Sequence, residues 1–276
     1  RAREKGSLYF GLTDEQKQLR ASVRGFLGGL SVARAVVDGA LAHEKDAWKR
    51  MVAEQGWPAI LIAEEDGGFG FGPMDLAVVL EETGRVLNPS PLLGTAFATL
   101  ALQNAQPSKV VKAALADIAA GATATLALNT DIAGTVSGGG WELSGVATSV
   151  LGGADAEIVI LDTFEGLFLL RDLDFERKAL PVLDPTRPLA NLVLDSLELP
   201  GDVRLEGTDV ETIRMGCEVL AACEAVGAAE AAMEMSVDYA KVRQQFGKAI
   251  GSFQAIQHQC ADMMVAVESA RSAAWY

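Results

Sequence analysis

The sequence predicts an α+β fold in three successive parts: an N-terminal helical domain over residues 1–120, a middle antiparallel β domain over 121–205, and the start of a C-terminal helical bundle over 206–276. Three observations support this order. Apolar residues recur at helical spacing up to about residue 120, and from Gly121 the pattern changes to short β-prone runs between glycines. After Pro200 and Gly201 an alanine-rich stretch returns to helical character. At 276 residues the chain also exceeds what one hydrophobic core usually organises.

Thr13 followed by Gln16 forms a capping box, and Leu19, Val23, Phe26, Leu27 and Leu30 then recur as one apolar helix face. Further helical patterns run over 46–55, 74–87 and 108–120, separated by glycine and proline. In the β part, Thr123, Thr125, Val136, Ile158, Val159 and Ile160 lie in short runs punctuated by glycines at 138–140, 152, 153 and 166. The β pattern extends through 168–170 and 192–194 and closes near Val203. A second capping box, Thr208 with Glu211, opens a long helix that runs past Gly227 to Arg243. Gly247 and Gly251 break it, and another helix begins near Ser252 with Ile256, Cys260, Met263 or Met264, and Val267 on its apolar face. Tyr276 carries no stop signal, so this helix and its bundle are expected to continue in further residues.

Composition excludes several function classes. A formal charge of −14 repels polyphosphate backbones, so nucleic acid is not an expected partner. The same charge requires any nucleotide cofactor to be met by a few local cations or helix N-termini. Cys217, Cys223 and Cys260 show neither metal-ligand spacing nor a disulfide framework, which fits a reducing cytoplasm. His43 and His258 are the only histidines, so neither a metal site nor a Ser-His-Asp mechanism is expected. No run is long and apolar enough to predict a membrane span, and a cytoplasmic location is expected.

Four segments give the pattern a specific likeness. Arg243-Gln-Gln-Phe246-Gly247-Lys248-Ala-Ile250-Gly-Ser-Phe253-Gln254 closely resembles the R-x-x-F-G-x-x-I-x-x-F-Q signature of the acyl-CoA dehydrogenases. Ala63-Glu64-Glu65-Asp66-Gly67-Gly68-Phe-Gly70 resembles their P-E-E-x-G-G-x-G loop, and Glu81-Glu82-Thr-Gly84 resembles their E-E-x-G helix end. The stretch from Leu143 to Ala154 resembles their β hairpin, so the likeness spans essentially the whole chain.

The resemblance implies FAD as cofactor and oxidation of an acyl-CoA thioester to the 2,3-enoyl-CoA, with a carboxylate as base and a flavin as hydride acceptor. It also implies that Arg243 reaches the FAD pyrophosphate of a neighbouring subunit, with Phe246 and Gln254 at the same flavin. Read from the residues alone, the alternative for Arg243 is a surface arginine paired with a carboxylate, and Phe246 could equally be a core residue. The loop Gly67 to Gly72 reads as a structural turn, and the family loop it resembles helps to shape the acyl-CoA site.

Two departures from the family pattern matter. Where relatives carry T-E-P-x-x-G-S-D, this chain reads Leu126-Ala-Leu-Asn129-Thr130-Asp131-Ile-Ala-Gly134, and where they carry W-I-T it reads Ser149-Val150-Leu151. The threonine hydroxyl that meets the flavin edge is lost, and an unpaired flavin acceptor in a dry pocket would cost roughly 1–3 kcal/mol. Most relatives place the catalytic base in a part of the bundle that this sequence does not include, and a minority place it at the position of Cys217. Glu218 is the adjacent candidate base, turned by about a hundred degrees around the helix. Glu224, Glu230 and Glu234 on the same helix read as a solvated face.

The reading that follows is one subunit of a heteromeric enzyme, of the kind found in bacterial steroid side-chain degradation. A homologous subunit would supply the base and principal flavin pocket, and an electron-transfer flavoprotein or similar acceptor would take the electrons. A self-sufficient homotetramer with its base beyond residue 276, and a flavin-free scaffold, are the alternatives.

Overall fold

The computed structural model describes residues 11–30, 33–39, 42–172 and 174–275. Six helices come first: α1 (Asp14–Gly28), α2 (Ala33–Val37), α3 (Ala42–Arg50), α4 (Pro73–Arg85), α5 (Leu92–Asn104) and α6 (Lys109–Ala119). The expected capping box opens α1, with Thr13 Oγ1 accepting from Gln16 N at 3.2 Å and Gln16 Oε1 accepting from Thr13 N at 3.1 Å. The helical pattern over 46–55 divides between α3 and a π-helical turn at Met51–Gln55. Helix α5 has no counterpart among the sequence expectations, for a physical reason. Residues on every side of it, Leu92, Gly94, Ala96, Ala98 and Leu102 among them, are buried, and a helix apolar all round has no period to read.

Ten strands follow: β1 (Ala124–Ala127), β2 (Asp131–Ser137), β3 (Gly140–Leu151), β4 (Ile158–Thr163), β5 (Gly166–Arg171), β6 (Glu176–Ala179), β7 (Leu189–Leu199), β8 (Arg204–Leu205), and the later pair β9 (Gln244–Gln245) and β10 (Lys248–Ala249). The β domain is two four-stranded sheets ordered β1-β4-β5-β8 and β2-β3-β7-β6. Pairing is antiparallel throughout except for β1 with β4, which run parallel with Ala124 opposite Ile158. The expected antiparallel layer therefore contains one parallel pair, made because β1 and β4 are joined through the other sheet rather than by a tight turn.

The first sheet is buried on both faces, which explains its continuous apolar runs. Ile158 and Ile160 of β4, with Leu167 and Leu169 of β5, face the helices α5 and α6. The alternate residues Val159, Leu161, Phe168 and Leu170 face the second sheet and pack with Ile132, Leu143, Leu192 and Leu194. The side-chain period of two thus serves two cores from one sheet.

Helix α7 (Val210–Val242) and helix α8 (Gln254–Trp275) complete the chain, and Tyr276 lies outside the described residues. The α7 cap is Asp209 rather than Thr208. Its carboxylate accepts from Glu211 N and Thr212 N at 3.1 and 3.3 Å and from Thr212 Oγ1 at 2.7 Å, more bonds than a threonine hydroxyl one residue earlier could accept. Helix α7 crosses α4 glycine against glycine. A Cβ on Gly84 would lie 1.9 Å from Glu224 O, and one on Gly227 would lie 1.8 Å from Glu81 O.

An ionic cluster brackets this crossing. Glu81 and Glu82 of α4 are 0% and 1% exposed. Glu82 takes a two-pronged pair from Arg24 of α1 at 2.7 and 2.8 Å, while Glu81 Oε1 accepts from Arg20 at 3.1 Å and from Arg271 of α8 at 3.0 Å. Arg271 also pairs with Glu230 of α7 at 2.9 Å, and Arg85 pairs with Glu230 at 2.7 Å and with Glu234. Helices from both ends of the chain are thus joined through two buried glutamates, the buried Arg271 and the partly exposed Arg20 and Arg24.

Candidate functional site

The signature segment forms an exposed corner between α7 and α8. Arg243 leaves α7 in extended conformation, and the chain doubles back as the ribbon β9–β10, with Gln245 opposite Lys248 and Gln244 opposite Ala249. Phe246 and Gly247 form the two-residue turn with φ of +52° and +78°, the sign pattern of a type I′ hairpin. Ile250 N donates to Arg243 O at 2.8 Å and closes the base of the ribbon.

Phe246 is the unusual residue of this corner. It occupies the left-handed region, which costs a side chain with a Cβ roughly 1–2 kcal/mol, and yet is 91% exposed. Among the described residues its one ring contact is an edge-on approach to Phe253 at 6.1 Å between centroids. It is therefore not a core residue of this chain. Arg243 is exposed, and no carboxylate of the described residues pairs with it. Gln254 is exposed at the first position of α8. The three residues expected at a flavin thus share one protruding corner, with strain and apolar surface that the chain's own packing does not use.

A second feature lies at the seam of the helical and β domains. A cleft of about 320 Å³ is lined by Lys45, Lys49, Leu93, Ala124, Leu151 and Arg187, among others. Leu151 stands where the family pattern has its threonine. Its carbonyl accepts from Thr125 Oγ1 at 2.6 Å, and Ser149 N donates to Asn191 Oδ1 at 3.0 Å. The fork of Arg187 is also taken, by Glu224 at 2.7 and 3.1 Å and by the carbonyls of Asn88 and Thr186 at 2.9 and 2.8 Å. The polar groups around Leu151 are thus satisfied internally, and the cations Lys45 and Lys49 of this cleft come from its helical side. The hairpin keeps open donors of the kind a diphosphate would need, whereas the groups around Leu151 are already paired.

No carboxylate of the long helix is free to act as a base in this chain. Glu218 is exposed and pairs with Arg214 at 2.7 Å on the solvated face, while the neighbouring Cys217 points into the core with its thiol pushed up to about 12 by burial. Glu224 is held by Arg187, and burial raises its carboxyl above the ordinary range. Glu230 and Glu234 belong to the ionic cluster and are not simply solvated. His258 is exposed, and the side chain of His43 lies outside the described residues. Among the described residues no group of three potential metal ligands occurs, and no helix is long and apolar enough to cross a membrane.

The glycine-rich loop spends its amides on its own backbone. Gly68 N donates to Ala63 O, Phe69 N to Ala59 O, Gly70 N to Ile62 O and Phe71 N to Ile60 O, at 2.8–3.0 Å. It is a turn, and its residues do not line the seam cleft. Sequence reasoning missed the Arg187–Glu224 clasp and the arginines around Glu81 and Glu82. Their partners stand 37 to 190 residues away in sequence, so no local spacing announces them.

Residues 13–122 match the acyl-CoA dehydrogenase N-terminal domain, and residues 215–276 match the acyl-CoA dehydrogenase C-terminal domain. Among characterised relatives, the acyl-CoA dehydrogenase IpdE2 of Mycobacterium tuberculosis is 34% identical over 264 residues, covering 94% of this chain and 74% of that protein. The acyl-CoA dehydrogenase FadE34 of the same organism is also 34% identical, over 95% of this chain and 37% of its own length. Among solved structures, a Tcur3481-Tcur3483 steroid ACAD variant superposes with a TM-score of 0.85 at 26% identity, covering 95% of this chain and 76% of that one. The ChsE4-ChsE5 complex from M. tuberculosis superposes with a TM-score of 0.88 at 23% identity, covering 97% and 79%, and supports the fold.

Proposed function

Since this chain belongs to the acyl-CoA dehydrogenase family of FAD-dependent oxidoreductases, we propose that it is one subunit of a heteromeric enzyme that oxidises an acyl-CoA thioester to the 2,3-enoyl-CoA. Its task is to complete the FAD site of a homologous partner, and the partner supplies the base. The observation that carries this reading is the hairpin: a strained, exposed Phe246 beside an unpaired Arg243, in a chain whose own seam lacks the flavin-contacting hydroxyl.

Bound FAD supplies the acceptor for the hydride leaving the β-carbon. The residues of this chain hold and orient. Arg243 offers a planar fork of donors to phosphate oxygens, and Phe246 lays an apolar face against the partner's flavin pocket and excludes water. Gln254 presents an amide that can both donate and accept. The α-proton goes to a carboxylate of the partner, because the carboxylates of α7 are engaged here with arginines or, for Asp238, with Lys241. An electron-transfer flavoprotein or similar acceptor takes the electrons. The steroid enzyme among its structural neighbours favours a bulky acyl group.

In the complex purified with its native partner, Arg243→Ala is expected to weaken FAD binding by about one to two decades, the loss of a charge-assisted contact of roughly 1.5–3 kcal/mol. Arg243→Lys restores only part, because it returns the charge without the fork. Equilibrium dialysis reads both, and with the parent gives one FAD per two chains. Parent-like FAD binding and activity in both variants would remove the main support for a shared site.

A further inference from the structure

We infer that Lys248 is a second cation of the same binding face, so that the hairpin offers two positive charges to the diphosphate of a dinucleotide. The inference rests on the flavin-completing role proposed above and extends it to a residue at a variable position of the signature.

The register sets the geometry. Lys248 lies directly opposite Gln245 in the β9–β10 ribbon, and directly opposed residues project from the same face. Arg243 precedes Gln245 by two residues in extended backbone and is joined across the ribbon through Ile250 N, so the period of two places it on that face as well. Arg243, Gln245 and Lys248 therefore share one face of an exposed ribbon, with Ile250 across from Arg243 at its base.

Lys248 is also held in place. Its ammonium sits 4.4 Å from the centroid of the Phe253 ring, and that ring meets Phe246 edge-on at 6.1 Å. The ring covers one side of the ammonium and leaves donors free on the other. Anchoring restricts a flexible four-carbon stem before any ligand arrives, which reduces the entropy lost on binding. Electrostatics select the same residue. The chain carries a formal charge of −14, and the nearby Lys241 is already paired with Asp238 at 2.8 Å. Neither Arg243 nor Lys248 pairs with a carboxylate of the described residues, so the hairpin keeps two open cations for a group with two negative charges.

The test is FAD affinity in the native complex, measured by equilibrium dialysis at two salt concentrations. Lys248→Met keeps the apolar stem and removes the charge, and is expected to raise the FAD Kd about tenfold with a weaker dependence on salt. Lys248→Arg should restore most of both. Phe253→Leu keeps both cations but frees the lysine, and should give an intermediate loss. On the chain alone, inorganic pyrophosphate should shift the amide resonances of Gln245 and Gly247 in the parent and not in Lys248→Met. Parent-like FAD affinity and salt dependence in Lys248→Met, with Arg243→Ala still weakened, would overturn the role of Lys248 and leave the shared site standing. Parent-like behaviour of both variants would overturn the shared site, and this inference with it.

Discussion

Glu81 sits in the least balanced surroundings of any carboxylate in the ionic cluster. One of its oxygens accepts from two guanidinium groups, while the other is buried without a hydrogen-bond partner. Burial raises its carboxyl above the ordinary range, and the charges of Arg20 and Arg271 only partly oppose this. A carboxyl raised in the folded state binds its proton more tightly there than in the unfolded chain. Its contribution to stability is therefore full below the unfolded value and is lost as pH rises through the folded one. Glu81→Gln, neutral at every pH, is expected to gain stability relative to the parent as pH rises from acid to neutral, measured by urea unfolding at several pH values. A gap that moves the other way would show that the arginines outweigh burial. The neighbouring glutamates were legible in the sequence as part of a motif, but their arginines were not, because the contacts span 58 to 190 residues of sequence. Arg243, Phe246 and Gln254 could be named from a contiguous signature. The exposed, strained state of Phe246 could not, because a one-dimensional pattern does not distinguish an aromatic that faces a core from one that faces a partner.

The crossing of α4 and α7 depends on two hydrogen atoms standing where methyl groups would otherwise be. In an exposed helix, Gly227→Ala would stabilise by up to about 1 kcal/mol through helix propensity. Here the added Cβ would lie 1.8 Å from a carbonyl oxygen, so the helices must separate and the ionic cluster must stretch with them. The expected outcome is a net loss of at least about 2 kcal/mol in chemical unfolding, opposite in sign to the propensity effect. A stabilised variant would show that the crossing is loose. Helix α1 was legible because its cap and its single apolar face are both local features, as were β4 and β5 from their β-prone runs. Helix α5 and the parallel partnership of β1 and β4 were not, since uniform burial erases the period and strand direction follows from connections elsewhere.

The three sequence segments do not each possess a private core. Leu220 and Cys223 of α7 pack with Met51, Trp57 and Leu80 of the first helices, and Ile213 and Cys217 pack with Ile118 and strands β1, β4 and β5. One helix thus contributes to both interiors. Calorimetry of the chain is expected to give a single transition whose van't Hoff and calorimetric enthalpies agree, and two resolved transitions would contradict this. The chain's overall negative charge was legible from composition, as was its need for a few well-placed cations, but which cations remain open followed only from seeing which arginines and lysines are already paired. The ionic bracket has a further consequence for how the protein is made. Arg85 and Glu230 are separated by 145 residues, so on the ribosome, at about 5–20 residues per second, the first helices wait roughly 7–30 s for the helix that covers them. During that interval Gly84 of α4 lacks the helix that packs against it and Arg85 lacks both of its glutamates, so the N-terminal helices acquire this packing partner only when α7 emerges.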